Sequence, residues 1–182
     1  MRGGHLASNL GAVELTLALH YVFDFQQDKL LWDVGHQCYA HKILTGRQAG
    51  FELLRHAGGV SGFPNPAESD YDQFSVGHAG TSIATAIGMA LGEQLKAAAS
   101  QKLEAPGQRD EGCGENSPPS PAPGASPLPP APRVVALVGD ASIVNGVSFE
   151  GLNNLGLIKR QMLIVLNDNS MAIDATVGAV AR

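Results

Sequence analysis

The apolar run VVALV at 134–138, which is followed by Gly139 and Asp140, decides the fold class of this 182-residue chain. A second apolar run, MLIVL at 162–166, comes after a helical pattern at 148–155. Continuous apolar runs, unlike alternating ones, are typical of parallel strands that are covered on both faces. Because strand, helix and strand follow in this order, the pattern predicts a right-handed parallel crossover and an α/β fold with helices on both faces of the sheet.

The first part of the chain extends this α/β pattern. The run KLLWDVG at 29–35 predicts a buried strand that leads into a loop, and a short helix is predicted at 40–45. The composition of 56–76, rich in Gly, Pro, Ser and Asp, predicts loop.

Two helices flank these segments. The first is predicted to begin at Asn9 as its cap, and its apolar face would consist of Leu10, Val13, Leu17, Ala18 and Tyr21. The second would be capped by Thr81 or Ser82, with an apolar face at Ile83, Ile87, Leu91 and Leu95.

Composition and charge exclude several classes of protein. Apolar residues make up 44% and charged residues 16% of the chain, which is typical of a globular domain. The net charge of -5 argues against a nucleic-acid surface. Without an apolar run of about 18 residues, no membrane span is predicted. Two cysteines, Cys38 and Cys113, are too few for a disulfide framework, so a reducing compartment is expected.

A proline-rich segment interrupts the apolar pattern at 97–132. Nine of the 11 prolines lie in this segment, which contains few large apolar side chains. Such a composition buries too little apolar surface to offset the entropy of ordering, so we predict a flexible, disordered insertion.

Polar clusters follow the predicted strands at His36, at Asp140 with Ala141 and Ser142, and at Asn167-Asp168-Asn169. In open parallel sheets ligands bind at the carboxyl ends of the strands, so these clusters are expected to converge. A carboxylate from Asp140, an amide oxygen from Asn169 and a nearby backbone carbonyl suit Mg²⁺. The loop 77–82 opens a helix, and its backbone N–H groups suit a diphosphate. A zinc site at Cys38, His41 and His36 is the alternative, although no Cys-x-x-Cys pair supports it.

Several sequence motifs resemble those of one family in particular. GDA at 139–141 and NDN at 167–169 are similar to the thiamine-diphosphate fingerprint, which has Gly where this chain has Ala141. Five further motifs occur in the order seen in the 1-deoxy-D-xylulose-5-phosphate synthases. They are GGHLASNLG at 3–11, WDVGHQ at 32–37, HKILTGR at 41–47, GVSGFP at 59–64 and GH at 77–78. The resemblance covers almost all of the chain outside 97–132, and related transketolases share the plan but not these motifs.

The resemblance implies a role for individual residues. Asp140, Asn169 and the main-chain carbonyl of Met171 would bind Mg²⁺. His36, Gly77, His78, Ala79, Ala141, Ser142 and Asn169 would contact thiamine diphosphate, and His5 would be the catalytic residue beside the reacting carbon. Ala141 would cost about 1 kcal/mol or more if its position required a positive φ.

The resemblance also implies an activity. The whole enzyme would be a transferase that condenses pyruvate with glyceraldehyde 3-phosphate to 1-deoxy-D-xylulose 5-phosphate and CO₂, for isoprenoid, thiamine and pyridoxal synthesis. It would be a homodimer in the bacterial cytoplasm, or in a plastid if a segment precedes Met1. Residues 1–182 would form part of its diphosphate-binding domain and would be inactive alone, because a glutamate of the following domain contacts the pyrimidine ring. An inactive cofactor-binding module and one subunit of a split transketolase-like enzyme remain as alternatives.

Overall fold

The computed structural model describes residues 4–104, 132–158 and 161–168 and contains a parallel sheet. Its strands are β1 (Lys29–Trp32), β2 (Val134–Gly139) and β3 (Met162–Asn167), in the order β1-β2-β3. Lys29 pairs with Val134, and Gly139 pairs with Asn167. The predicted α/β fold with a parallel sheet is therefore confirmed.

Helices surround this sheet. In chain order they are α1 (Leu6–Leu10), α2 (Val13–Val22), α3 (Tyr39–Lys42), α4 (Ser82–Glu104), α5 (Asp140–Ile143) and α6 (Gly146–Leu155). A π-helical turn at Ile43–Arg47 and a 3₁₀ helix at Gln48–Leu53 follow α3, so the short helix predicted at 40–45 is part of a longer helical segment. Asn145 caps α6 by accepting a hydrogen bond from the Val147 N–H, and the helix ends before Gly156 as predicted.

Both faces of the sheet are covered. Successive side chains of a strand point to opposite faces. Leu30, Trp32, Val135 and Leu137 therefore pack on one side with residues of α2 and α3, while Leu31, Val134 and Ala136 pack on the other side with α4. The central strand β2 is at most 1% exposed over Val134–Val138, as its continuous apolar run predicts.

The third strand is less buried than its sequence predicts. Leu163 and Leu166 are 41% and 51% exposed. Within the described residues β3 pairs only with β2, so it lies at an edge of the sheet and has one open side.

The predicted face of the first helix is wrong. The helical segment is divided into α1 and α2 at Gly11 and Ala12, so residues on the two sides of the break do not share one face. Leu10 and Tyr21 are 70% and 93% exposed, whereas α2 buries Thr16 and Leu19. Asn9 lies within α1 and is not its cap.

Helix α4 corrects two further expectations. It begins at Ser82, as predicted, but it continues to Glu104 and so includes residues 97–104 of the predicted insertion. Residues 105–131 lie outside the described part of the chain, and the prediction of a flexible insertion stays a prediction there. The buried face of α4 consists of Ile83, Ala86 and Ala90, while Leu95 is 72% exposed.

The segment 56–76 contains neither helix nor strand, which confirms the predicted loop. Among the described residues, no helix combines the length and apolar character that a membrane span requires.

Candidate cofactor site at the carboxyl edge of the sheet

The parallel sheet places the ends of its strands at one edge. Asp33 follows β1, Asp140 follows β2, and Asp168 follows β3. Because Gly139 pairs with Asn167, the ends of β2 and β3 are adjacent. The predicted convergence of strand ends is therefore present as far as Asp168, while Asn169 and Met171 lie outside the described residues.

Asn9 joins the two histidines that the resemblance singles out. Its buried side-chain amide donates to the carbonyl oxygens of His5, at 2.8 Å, and of His36, at 2.7 Å. Its amide oxygen accepts from the Tyr39 N–H at 2.8 Å. The rings of His5 and His36 consequently lie edge to face, with their centroids 5.3 Å apart. The residue that we expected to cap a helix instead fixes the backbone on both sides of the site.

His36 is held in its neutral form. Burial lowers the pKa of its imidazole, and the neighbouring His5 lowers it further, against an opposing effect of the Asp33 carboxylate. The Nδ1 atom of His36 is buried and has no hydrogen-bond partner within the described ranges. A buried ring nitrogen without a partner is costly, so it requires a partner that the described residues do not supply.

The loop at 77–82 is anchored by a carboxylate that sequence reasoning missed. Asp33, only 1% exposed, accepts hydrogen bonds from the Gly80 N–H at 2.9 Å, the Ser82 N–H at 3.1 Å and the Ser82 hydroxyl at 2.8 Å. We expected the backbone N–H groups of this loop to face a diphosphate. Two of them are already used by Asp33, so those left for an anion belong to Thr81 and to the exposed residues Gly77, His78 and Ala79.

Ser148 connects this loop to the turn that follows β2. Its fully buried hydroxyl lies 2.9 Å from the Ser142 carbonyl oxygen and 3.4 Å from that of Gly80. Gly80 has φ +83°, and a Cβ atom there would lie 2.5 Å from Asn145 Cγ. The two segments predicted to contact the cofactor are therefore packed against each other.

A cavity of about 220 Å³ opens beside the 77–82 loop. Val76, Gly77 and His78 line it together with Thr81 and Ser82. It lies against Leu31 and Trp32, so it is located beside β1 and not above the end of β2. We therefore do not identify this cavity with the metal position expected at Asp140.

The turn at Asp140 accommodates alanine without strain. Asp140, Ala141 and Ser142 form the start of α5, and Ala141 is not among the described residues with positive φ. The expected cost of Ala141 in place of glycine therefore does not arise. Asp140 is partly exposed at the end of β2, and Ser142 is buried.

The described residues alone do not complete a metal site. None of them form a group of three His, Cys, Asp or Glu side chains that could hold a metal ion. This rules out the zinc alternative at Cys38, His41 and His36. Burial raises the pKa of the Cys38 thiol to about 12, and the two ring nitrogens of His41 are occupied by Asp72 and His20.

The sequence contained a signal for Asp33 that we did not use. An acidic residue directly after a buried strand drew attention to Asp140, and Asp33 stands in the same position after β1. Asn9 and Ser148 have no comparable signal, because their roles depend on contacts with residues distant in the chain.

Comparison with known proteins supports the resemblance. The family model of 1-deoxy-D-xylulose-5-phosphate synthase matches residues 1–106 and 128–182. Synthases of that name from Azobacteroides pseudotrichonymphae and Dechloromonas aromatica are 49% and 48% identical over 98% of this chain. One from Clostridium tetani is 47% identical over the same share. The chain spans 23% to 24% of the length of these relatives.

Proposed function

The chain belongs to the 1-deoxy-D-xylulose-5-phosphate synthase family, and from this premise we propose that its strand-end cluster binds the diphosphate end of thiamine diphosphate with Mg²⁺. The observation that supports the proposal is the junction made by Ser148, whose hydroxyl contacts the carbonyl of Gly80, directly after residues 77–79, and the carbonyl of Ser142, two residues after Asp140. A metal ion and a diphosphate need their binding groups at one place, and two segments distant in sequence would provide them.

The residues present fit the two groups. The carboxylate of Asp140 and, by the resemblance, Asn169 and the carbonyl of Met171 are oxygen ligands of the kind that Mg²⁺ prefers. The exposed backbone at Gly77, His78 and Ala79 would bind diphosphate oxygens, together with Ala141 and Ser142.

The two histidines would serve the reacting end of the cofactor. Thiamine diphosphate, when bound, supplies an electron sink for the carbon–carbon chemistry. Because burial lowers the pKa of His36, its ring would favour the neutral form and would not add a charge to the site. His5 is exposed and lies beside it, so His5 can hold or transfer a proton at its ring nitrogens.

For the whole enzyme we propose the reaction that the family name describes. Pyruvate and glyceraldehyde 3-phosphate would join with loss of CO₂ to give 1-deoxy-D-xylulose 5-phosphate, a precursor for isoprenoid synthesis. Because this chain covers about a quarter of its relatives, we assign it the binding of the Mg²⁺–diphosphate end, and we propose that the 182 residues alone do not turn over. The cytoplasmic homodimer expected from the resemblance belongs to the same proposal.

The test is calorimetric titration of the chain with thiamine diphosphate, with and without Mg²⁺. Asp140→Ala should abolish the Mg²⁺-dependent part of binding, since it removes the carboxylate at the end of β2. The matched control is Asp70→Ala, which removes an exposed carboxylate in the 56–76 loop and should leave the affinity unchanged. Equal affinity of wild type and Asp140→Ala would remove Asp140 from the site.

A further inference from the structure

A second group of charged side chains lies outside the cofactor cluster. Lys42 and Asp72 have fully buried side chains, and those of Arg47 and Glu68 are 10% and 19% exposed. Lys42 Nζ lies 2.6 Å from Glu68 Oε2, and Arg47 binds both carboxylate oxygens of Asp72, at 2.6 and 3.1 Å. His41 adds a hydrogen bond of 3.0 Å to Asp72.

The charges of this group balance. Lys42 and Arg47 are paired with Glu68 and Asp72, and burial lowers the pKa of His41, which favours the neutral ring although Asp72 opposes the effect. Burial alone would raise the pKa of Asp72, but hydrogen bonds from His41 and Arg47 hold it well below its usual range. Buried ion pairs add little net stability compared with apolar residues of similar size, so stability alone does not explain this arrangement.

The two carboxylates reach the backbone of the loop at 61–65. Glu68 Oε1 accepts from the Ser61 N–H at 2.7 Å, and Asp72 Oδ2 accepts from the Asn65 N–H at 2.7 Å. These contacts hold both ends of a five-residue segment whose centre is Phe63 and Pro64. We call the pair Glu68 and Asp72, with these two backbone contacts, the carboxylate clamp.

The loop at 61–65 lies against His5 and against Gly35, the residue before His36. The ring centroid of Phe63 lies 6.3 Å from that of His5, which in turn is 5.3 Å from that of His36. Pro64 packs so closely on Gly35, the residue before His36, that a Cβ atom at Gly35 would lie 2.5 Å from Pro64 Cδ. Displacement of the loop would therefore remove the Phe63 ring from His5 and the Pro64 contact from the residue before His36.

We propose that Glu68 and Asp72 are positioning residues that fix the 61–65 loop and thereby set the geometry of His5 and His36. The clamp acts through the loop and does not itself touch the proposed cofactor. Its importance for catalysis rests on the proposed function, but its effect on the two rings does not depend on cofactor binding.

The test separates the backbone contact of Glu68 from its charge. The double variants Lys42→Met/Glu68→Gln and Lys42→Met/Glu68→Met both lack the buried ion pair and differ little in volume. The Gln variant keeps an oxygen that can accept from the Ser61 N–H, and the Met variant does not. The readout is NMR of the histidine-labelled chain without cofactor: the ring signals of His5 and His36 and the NOE between the His5 and Phe63 rings.

We expect the Gln variant to retain the wild-type ring signals and the NOE, and the Met variant to shift the signals and lose the NOE. The control is Asp28→Asn, which weakens the ion pair with Arg133 at the opposite end of the sheet and should leave both rings unchanged. Wild-type ring signals in a folded Met variant would overturn the proposal. If the Met variant does not fold, hydrogen exchange of the wild type decides: fast exchange of the Ser61 and Asn65 amides would overturn the clamp, and protection would support it.

Discussion

Asp33 illustrates how much one buried side chain determines at this site. An ionised carboxylate can only accept hydrogen bonds. Asp33 accepts two from Ser82, the first residue of α4, and one from Gly80, two residues earlier. Since Asp33 directly follows β1, these bonds join the end of a strand to the start of the longest helix. The loop at 77–82 is thereby fixed in a shape that leaves Gly77, His78 and Ala79 exposed.

Replacing Asp33 should therefore destabilise the fold as well as the loop. Asp33→Ala leaves two backbone N–H groups and a hydroxyl buried without a partner, and we expect a loss of about 2 to 4 kcal/mol in the free energy of unfolding. Asp33→Asn keeps one acceptor and should lose less. Urea unfolding measures both, with the exposed Asp70→Ala as a control that should stay within about 0.5 kcal/mol of wild type. A loss for Asp33→Ala no larger than that of the control would contradict this role.

His20 predicts a dependence of stability on pH. Its Nε2 lies 2.9 Å from His41 Nδ1, and because Asp72 can only accept from His41 Nε2, His20 must be the donor in this pair. Burial and the neighbouring His41 lower the pKa of His20 from 6.5 to about 4. Between these values the unfolded chain binds a proton that the folded chain does not, so stability is present above the upper value and is lost as the pH falls towards the lower one.

After allowance for the partial exposure of His20, its protonation should lower the free energy of unfolding by about 1 kcal/mol when the pH falls from neutral to about pH 5. Urea unfolding at the two pH values measures the difference. His20→Gln should remove most of this pH-dependent loss of stability, whereas the exposed His56→Gln should not. The same pH dependence in wild type and His20→Gln would show that another group is responsible.

At the scale of elements, the presence of the strands and helices was predictable from the sequence, but the face that each helix buries was less predictable. The continuous apolar run of β2 identified a covered parallel strand, and Asn145 and Gly156 bound α6 in the structure close to where the pattern placed it. The face of the first helix was wrong because the helix breaks at Gly11 and Ala12. The face of α4 was wrong for a different, geometric reason. A spacing of four residues advances about 40° beyond a full turn, so three such steps place Leu95 about 120° from Ile83. Only Ile83 of that pair is buried.

Gly35, in the loop after β1, and Gly46, in the π-helical turn at Ile43–Arg47, form a matched pair. Gly35 and Gly46 both have positive φ, +86° and +87°, but a Cβ atom at Gly35 would meet Pro64 Cδ at 2.5 Å and Val76 Cγ2 at 2.6 Å, while the space around Gly46 is open. Gly46→Ala should cost about 1 kcal/mol from backbone strain. Gly35→Ala should cost about 1 to 3 kcal/mol more, because the loop must also move. Equal losses in thermal or urea unfolding would show that the contact with Pro64 is not tight.

At the scale of the whole molecule, sequence reasoning predicted that the polar strand ends meet at one edge of the sheet, but it missed the long-range hydrogen bonds that connect this edge to the surrounding loops. Strand ends meet in any parallel sheet, so the adjacency of Asp140 and the residues after β3 followed from the pattern alone. The contacts of Asn9, Asp33 and Ser148 join residues 27 to 68 positions apart in the chain. No local periodicity encodes such distances. The roles of Asn169 and Met171 stay predictions, since both lie beyond Asp168.

The last prediction concerns the activity of the chain by itself. We expect the purified 182-residue chain to form no 1-deoxy-D-xylulose 5-phosphate when it is incubated with pyruvate, glyceraldehyde 3-phosphate, Mg²⁺ and thiamine diphosphate. By the family resemblance, activation of the cofactor requires a glutamate that contacts its pyrimidine ring, and no residue of this sequence matches that glutamate. The chain spans 23% to 24% of the length of these relatives.

Two measurements on the same preparation make this prediction decisive. The full-length synthase of Dechloromonas aromatica serves as the positive control for the product assay. Calorimetry on the isolated chain reports whether it still binds Mg²⁺ and thiamine diphosphate, which the strand-end cluster should allow, though weakly. Binding without turnover is the expected result, because by our proposal Asp140 and the exposed residues 77–79 would bind only the diphosphate end. Turnover above a no-enzyme control that disappears in Asp140→Ala would contradict the prediction and would mean that these 182 residues contain a complete active site.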